Sequence, residues 1–77
     1  MGKYPALNAR QLDNRLRDLG CTLLRQRGSH RHYSNPFNPE RIITFPDHSG
    51  DVPKGIIADI IDDLVITREQ FYDIGSK

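Results

Sequence analysis

The chain has little cysteine and no long apolar run, and both shortages limit what it can be. Its one cysteine, Cys21, cannot form an intramolecular disulfide, which indicates a reducing compartment. No run of about 18 apolar residues is present to span a membrane, and the first ten residues lack the apolar core of a signal peptide. We therefore expect a cytoplasmic protein without a membrane-spanning segment.

The chain is also short, and its length restricts the kind of functional site. A domain of 77 residues buries roughly 60–65% of its unfolded surface, so a deep cavity would leave little core. Apolar residues make up 36% of the chain and charged residues 27%, which is typical of a folded domain rather than a disordered segment. The sequence predicts a single domain over residues 1–77, with its functional site on an open surface.

The small net charge hides an uneven distribution of charged side chains. Residues 1–46 contain eight basic and three acidic side chains, a balance of +5, whereas residues 47–77 contain three basic and seven acidic ones, a balance of −4. A basic half could meet phosphate groups while an acidic half faces water or a partner. Chance clustering on a solvated surface is the alternative, because charge blocks are weak evidence of function.

Two stretches have the periodicity of amphipathic helices. Residues 8–19 repeat leucine at i, i+4 and i+7, with Asn8 as the candidate N-cap and Gly20 as the residue that ends the helix. Residues 55–64 place isoleucine and leucine on one broad face and three aspartates opposite. The spacing of a capping box at residues 67–70 predicts a short last helix.

Three stretches between the two long helices have the features of strands. Residues 21–26 and 30–34 form a predicted hairpin around Gly28, and the β-branched residues 41–46 form a third strand after a proline-rich loop. Ideal alternation places one set of side chains on the same face of the first strand, namely Cys21, Leu23 and Arg25.

The order of these elements predicts an α+β fold. A helix, three strands, a helix and a short C-terminal helix give an α-β-β-β-α two-layer sandwich, in which a three-stranded antiparallel sheet packs on two helices. This is the general plan of a double-stranded-RNA-binding domain. Because the helices cover one face of the sheet, the other face or its edge is left for a ligand.

Over residues 8–72 the sequence resembles the HicA toxins of bacterial toxin–antitoxin modules. The resemblance begins with a first helix that ends in Leu-Gly and continues through a basic strand end followed by Gly-Ser-His. The matching segments in chain order are "RQRGSH" (25–30), "ITFP" (43–46), His48 and Gly50, "PKGIIADII" (53–61) and "TREQF" (67–71). A tripeptide alone is common by chance, whereas this ordered set over so short a chain is specific.

The resemblance implies a fold, an activity and a partner. It implies a fold like that of double-stranded-RNA-binding domains, and a ribonuclease that cleaves messenger RNA without the ribosome. It also implies a HicB antitoxin that binds the toxin and covers its active site, and it maps the catalytic histidine of the family onto His30. We expect the toxin alone to be a monomer and its complex with the antitoxin to be a hetero-oligomer.

Two histidines near the hairpin turn have the right chemistry for RNA cleavage. RNA provides its own nucleophile, the 2′-OH, so a minimal ribonuclease must move protons and stabilise charge on phosphorus. An imidazole suits the proton steps because its ordinary pKa is about 6.5. His30 is either a catalytic group, acting as general base or general acid, or an ordinary polar residue of the strand. His32 shares its face and is either a substrate-binding or orienting group or an ordinary sheet residue.

Several further residues are candidates for contacts with RNA. Arg25 and Arg27 lie on one face of their strand, whereas Arg31 points away from His30 in an ideal strand. Each arginine either contacts phosphate or is a solvated charge. Ser29 either binds phosphate or shapes the turn, and we do not expect a serine nucleophile. Lys54 at the start of the second helix is a candidate anion site, with an ordinary helix start as the alternative.

The sequence does not favour a metal site or any other cofactor. His48 with Asp47 and Asp51, and the pair His30 and His32, are the only candidate ligand sets. Neither set has the helical or cysteine-rich spacing of zinc sites. We therefore expect an endoribonuclease that works without a metal ion.

The cysteine and the aromatic residues are assigned mainly to the core. Cys21 opens a strand beside leucine, so it is expected to be a core residue rather than a nucleophile. Phe45 is expected in the core, while Tyr33 and Phe37 are either core residues or platforms on which bases stack.

Two other functions stay open from the sequence. An RNA-binding module of the same fold would bind RNA without cleaving it. A protein–protein adaptor would use the acidic second helix and would show no salt-dependent binding to RNA. Within the ribonuclease hypothesis, the group that performs the other proton step is unassigned, with water, an arginine or Lys54 as candidates.

Overall fold

A computed structural model describes residues 6–73, so half of the N-terminal segment considered as a signal peptide, residues 1–5, lies outside the described residues. The strands form one antiparallel sheet in the order β1-β2-β3, which confirms the predicted α+β arrangement with a short last helix. The elements in chain order are α1 (Ala9–Asp18), β1 (Leu23–Arg27), β2 (His30–Tyr33), β3 (Ile43–Pro46), α2 (Lys54–Leu64) and α3 (Arg68–Asp73).

The predicted ends of α1 and the predicted start of α3 are confirmed by their hydrogen bonds. The Asn8 side chain accepts from the Gln11 N–H at 2.8 Å, and the Gln11 side chain accepts from the Asn8 N–H at 2.9 Å, which completes a capping box for α1. At the other end Gly20 has a φ of +97°, and its N–H donates to the Arg17 carbonyl at 3.0 Å. The capping box predicted at residues 67–70 is also present and begins α3.

The core lies between one face of the sheet and the helices. Tyr33 and Phe45, neighbours on β2 and β3, stack with their ring centroids 5.5 Å apart. The other fully buried large side chains come from the helices and from β3, namely Leu12, Leu16, Ile43, Leu64 and Phe71. Because the described helices pack on this side alone, the opposite face of the sheet is open.

A β-bulge in β1 corrects one sequence prediction. Leu23 pairs with Tyr33, but Arg25 pairs with His32, so one extra residue, Leu24, is accommodated between the two pairs. Leu23 therefore faces the core with Tyr33, while Arg25 faces the open side with His32. The prediction that Leu23 and Arg25 share a face was wrong, because ideal alternation takes no account of an inserted residue.

The observed strands are shorter than predicted, and the second helix begins one residue earlier. Residue 22 lies before β1, where the Thr22 N–H donates to the Ser34 hydroxyl at 2.9 Å and the Ser34 N–H donates to the Thr22 carbonyl at 2.8 Å. Residues 41–42 precede β3 because the Arg41 N–H donates to the Asn38 carbonyl at 2.9 Å in a turn. The helix α2 begins at Lys54, and Pro53 before it is the N-cap.

The proline-rich loop between β2 and β3 is held by a buried amide. Asn35 is only 3% exposed, and its side-chain N–H donates to the Asp63 carbonyl near the end of α2 at 2.8 Å. Its side-chain oxygen accepts from the Phe37 N–H at 3.0 Å and the Asn38 N–H at 3.1 Å. The first bond joins the loop to α2, and the other two fix the turn within the loop.

Candidate functional site

Two histidines and two arginines lie on the open face of the sheet. Arg27 pairs with His30, and Arg25 pairs with His32. Side chains of directly opposite residues project to the same face, so two imidazole rings and two guanidinium groups share the side that no described helix covers. The third strand adds two residues in register with the histidines, Thr44 and Pro46. The structure therefore brings together four of the predicted site residues.

The turn that precedes His30 is tight and depends on glycine. Arg27 and His30 pair across a two-residue turn in which Gly28 has a φ of +60°, the pattern of a type II′ hairpin. Ser29 is half-buried in this turn, and its carbonyl accepts a hydrogen bond from the Asp47 N–H. This backbone bond fixes the turn against the segment that follows β3, so His30 starts its strand at a defined place.

The two histidines differ in how they are held. His30 is exposed, and no hydrogen bond from the described residues reaches its ring. His32 is half-buried, and its Nδ1 lies 3.0 Å from the Thr44 hydroxyl oxygen. Since this contact orients the ring, its Nε2 is left for a ligand on the open face.

The basic candidates separate into two groups according to their partners. Arg25, Arg27 and Lys54 are exposed, and within residues 6–73 no acidic side chain forms an ion pair with them. Arg31 has two acidic partners, Asp13 and Asp47. Only the first group can meet a phosphate without first losing an ion pair.

Arg31 lies on the helix-facing side, as alternation from His30 predicts. Its Nε donates to an Asp47 carboxylate oxygen at 2.9 Å, and its Nη1 lies 3.4 Å from an Asp13 oxygen. Tyr33, which follows on the same face, donates its hydroxyl proton to that Asp13 oxygen. These contacts join α1, β2 and the segment after β3, so the structure does not bring Arg31 together with His30.

The pKa values of Asp13 and Tyr33 in this cluster are both shifted. Burial would raise the pKa of Asp13, but hydrogen bonds from Arg17 and Tyr33, with the nearby charges of Arg17 and Arg31, hold it below its ordinary value. Burial first, and then the hydrogen bond to Asp13, raises the pKa of Tyr33 to about 12. At neutral pH Asp13 is therefore an anion and Tyr33 a neutral donor.

The cysteine and the aromatic candidates can now be assigned. Cys21 is buried, which confirms it as a core residue, and burial raises the pKa of its thiol to about 11. Phe45 is 1% exposed, as predicted for the core. Tyr33 is fully buried and is unavailable for base stacking, whereas Phe37 is 47% exposed and keeps that possibility.

The start of α2 keeps the features of the predicted anion site. Its N-cap is Pro53, whose side chain has no atom that can accept a hydrogen bond from the helix. The first amide groups of a helix also have no intrahelical acceptors. Lys54 and Gly55 are both exposed at this end. Phosphate binding there stays a prediction.

The described part of the chain contains neither a metal-ligand cluster nor a helix that could span a membrane. No group of three or more His, Cys, Asp or Glu side chains in residues 6–73 is arranged to hold a metal ion, including the set around His48. Of the helices described, none has the length and apolar character that crossing a bilayer requires.

Sequence reasoning missed the residues that hold the site in place. Thr44 on β3 contacts His32 because the two residues are directly opposite each other in the β2–β3 pair. This contact can be predicted only when the strand register is known. Asp13 lies on α1, and no local pattern relates it to Arg31. Asp47 was considered only as a metal ligand, whereas it binds Arg31 and the turn.

A comparison with protein-family models found one match. The model described as the HicA toxin of bacterial toxin–antitoxin matches residues 9–66, which is most of the chain. The matched segment extends from α1 to just beyond α2, so it contains both histidines of the open face and Lys54. No curated protein matches the chain.

Proposed function

Since the chain belongs to the HicA family of bacterial toxin–antitoxin toxins, we propose that it is a toxin ribonuclease that cleaves messenger RNA, with His30 as a catalytic residue. One observation carries the proposal most directly. His30 stands exposed on an uncovered sheet face beside Arg27, a cation with no acidic partner among the described residues. This is the combination that proton transfer next to a phosphate requires.

The geometry of the open face suits RNA better than a small molecule. A flat, uncovered sheet can accept an extended polyanion, whereas a small ligand requires a concave pocket. Arg25 and Arg27 provide two cations beside the imidazole rings. Contacts of this kind go to the phosphate backbone, so we expect little reading of base sequence.

The remaining RNA contacts are proposed for residues that lie close to His30 or that carry a positive charge without an acidic partner among the described residues. Ser29 in the turn and His32 on the same strand lie next to His30, and Lys54 at the start of α2 is a second phosphate contact. Arg31 was predicted to bind RNA from the sequence. We give it a positioning role instead, because its guanidinium group is held by Asp13 and Asp47.

Cleavage by this site is proposed to need no metal ion. The RNA 2′-OH is the nucleophile, an imidazole moves its proton, and guanidinium groups stabilise the extra charge on phosphorus. All the required parts are then present in the RNA and in side chains of the open face.

The antitoxin is proposed to be HicB-like and to act by covering this face. Membership of the family implies an antitoxin partner. A protein seated on the open face would occupy the space needed by RNA and would contact the unpaired Arg25 and Arg27. The toxin alone is proposed to be a monomer, and its complex a hetero-oligomer.

Induced expression in bacteria tests the toxin activity and the role of His30 together. The wild-type chain should arrest growth and shorten cellular transcripts, and co-expression of its antitoxin should restore growth. His30→Ala should abolish both effects while it still folds and binds the antitoxin, because it removes a proton-transfer group from an exposed position.

His48→Ala is the matched control for this experiment. His48 is also an exposed histidine, but it lies in the loop after β3 rather than on the sheet. Its replacement should leave growth arrest intact. Full toxicity of His30→Ala would contradict the assignment.

A further inference from the structure

The open face holds a second histidine whose placement matches that of His30. His30 and His32 are two positions apart on β2, so their side chains leave the same face with Cα atoms about 7 Å apart. Each has an arginine directly opposite on β1. A phosphate that lies over this part of the strand can therefore have one imidazole on either side.

The contact to Thr44 can hold the His32 ring in the same orientation before and after the ring loses a proton. Its Nδ1 lies 3.0 Å from the Thr44 hydroxyl oxygen, which can accept a hydrogen bond from an Nδ1–H group. The Nδ1–H group is present both in the imidazolium ion and in the neutral ring that has lost the proton from Nε2, so the same hydrogen bond can form in both states. The ring can thus release a proton from Nε2 without breaking the contact that orients it.

His30 has no comparable acceptor among the described residues, and it is the more exposed of the two. An imidazolium ion has two N–H groups to satisfy, and only His32 has a fixed acceptor for one of them. His32 is therefore the better placed of the two to give a proton to the substrate from Nε2, which leaves the other proton step to His30.

From this arrangement, and resting on the ribonuclease function above, we propose that His32 is a second catalytic residue, the acid that protonates the leaving 5′-oxygen. The 2′-oxygen bonds to phosphorus while its proton passes to His30. The P–O5′ bond breaks, its electron pair stays on O5′, and O5′ takes the proton from Nε2 of His32. The products are a 2′,3′-cyclic phosphate and a 5′-hydroxyl, and solvent returns both rings to their starting protonation states.

A change of leaving group separates an acid from a residue that only binds or orients. The probe is an RNA oligonucleotide with one linkage at which the wild-type chain cuts, made with either the natural 5′-oxygen or a bridging 5′-sulfur. A thiolate leaves without being protonated, so it does not need the acid. The enzymes compared are the wild-type chain, His32→Gln, His30→Gln and the control His48→Gln.

On the natural linkage, His32→Gln should lower the cleavage rate by about 10²–10⁴-fold, the usual contribution of acid–base catalysis. On the sulfur linkage it should cleave within about tenfold of the wild-type rate, while His30→Gln stays impaired on both. Thr44→Val should show a smaller loss on the natural linkage and no loss on the sulfur one. Unchanged thermal unfolding of each variant establishes that the rates compare folded proteins.

Three results would overturn the proposal. Equal impairment of His32→Gln on both linkages would make His32 a binding or positioning residue. Full activity of that variant on the natural linkage would remove it from the reaction, and rescue of His30→Gln by sulfur would reverse the two roles. In all three the ribonuclease function survives, whereas a wild-type chain that cuts no RNA, so that no such linkage can be chosen, would overturn that function as well.

Discussion

At the scale of single residues, the basic side chains of the hairpin differ in what already binds them. Arg31 has Asp13 and Asp47 as partners, whereas Arg25 and Arg27 have no acidic partner in the described chain. Strand alternation correctly predicted that Arg31 points away from His30. The partners of Arg31 could not be predicted, because they lie on α1 and after β3 and meet it only in the folded chain.

Asp13→Asn tests this cluster through its dependence on pH. The pKa of Asp13 is below its ordinary value, so its ionised form stabilises the fold above an ordinary carboxyl pKa of about 3.9. That contribution is lost as the pH falls through the lowered pKa. Asp13→Asn should therefore reduce the free energy of unfolding by about 1–2 kcal/mol at pH 7, and by less at pH 3, as measured by urea denaturation.

Asp59→Asn is the matched control for this substitution. Asp59 is an exposed aspartate on α2, and its replacement should change the free energy of unfolding by no more than about 0.5 kcal/mol. An Asp13→Asn variant with the same loss at pH 3 as at pH 7 would contradict an ionised role for Asp13.

At the scale of elements, the order and type of the helices and strands followed from the sequence, and the details of strand pairing did not. Apolar periodicity and capping residues located α1, α2 and α3, and Gly28 located the hairpin turn. The bulge at Leu24 escaped prediction because an inserted residue leaves no mark in a strand of five residues. Its consequence is that Leu23 can face the core while Arg25 stays on the open face beside His32.

The turn can be tested with the same substitution at two glycines. Gly28 has a φ of +60°, and no atom lies within 4 Å of the place that an added methyl group would take, so Gly28→Ala introduces backbone strain without a clash. It should lower the free energy of unfolding by about 1–2 kcal/mol. Gly55, in α2, also has open space around it but no positive φ, so Gly55→Ala should raise the free energy by about 0.5 kcal/mol.

Thermal unfolding of the two variants provides the comparison. Opposite shifts of the melting temperature are expected. A Gly28→Ala variant as stable as the wild-type chain would mean that the turn does not depend on the left-handed conformation.

At the scale of the whole molecule, the uneven charge of the sequence is only partly separated in space, because Arg10, Arg15 and Arg17 of the basic half lie on α1 in the helix layer. The open sheet face bears Arg25 and Arg27, while α2 packs its isoleucines inward and exposes Asp59 and Asp62 on the helix side. An RNA backbone is attracted to the first side and repelled from the second. The sequence predicted the two charge blocks, but only the strand pairing places Arg25 and Arg27 on the open face, and only the packing of α2 places Asp59 and Asp62 on the helix side.

The most direct test of the account is RNA cleavage by the purified chain in EDTA. Labelled RNA should be shortened by the wild-type chain and by His48→Ala, with 2′,3′-cyclic phosphate ends, and should stay intact with His30→Ala. A wild-type chain that only retards RNA on a gel, or a His30→Ala variant that cleaves as fast as the wild type, would contradict it.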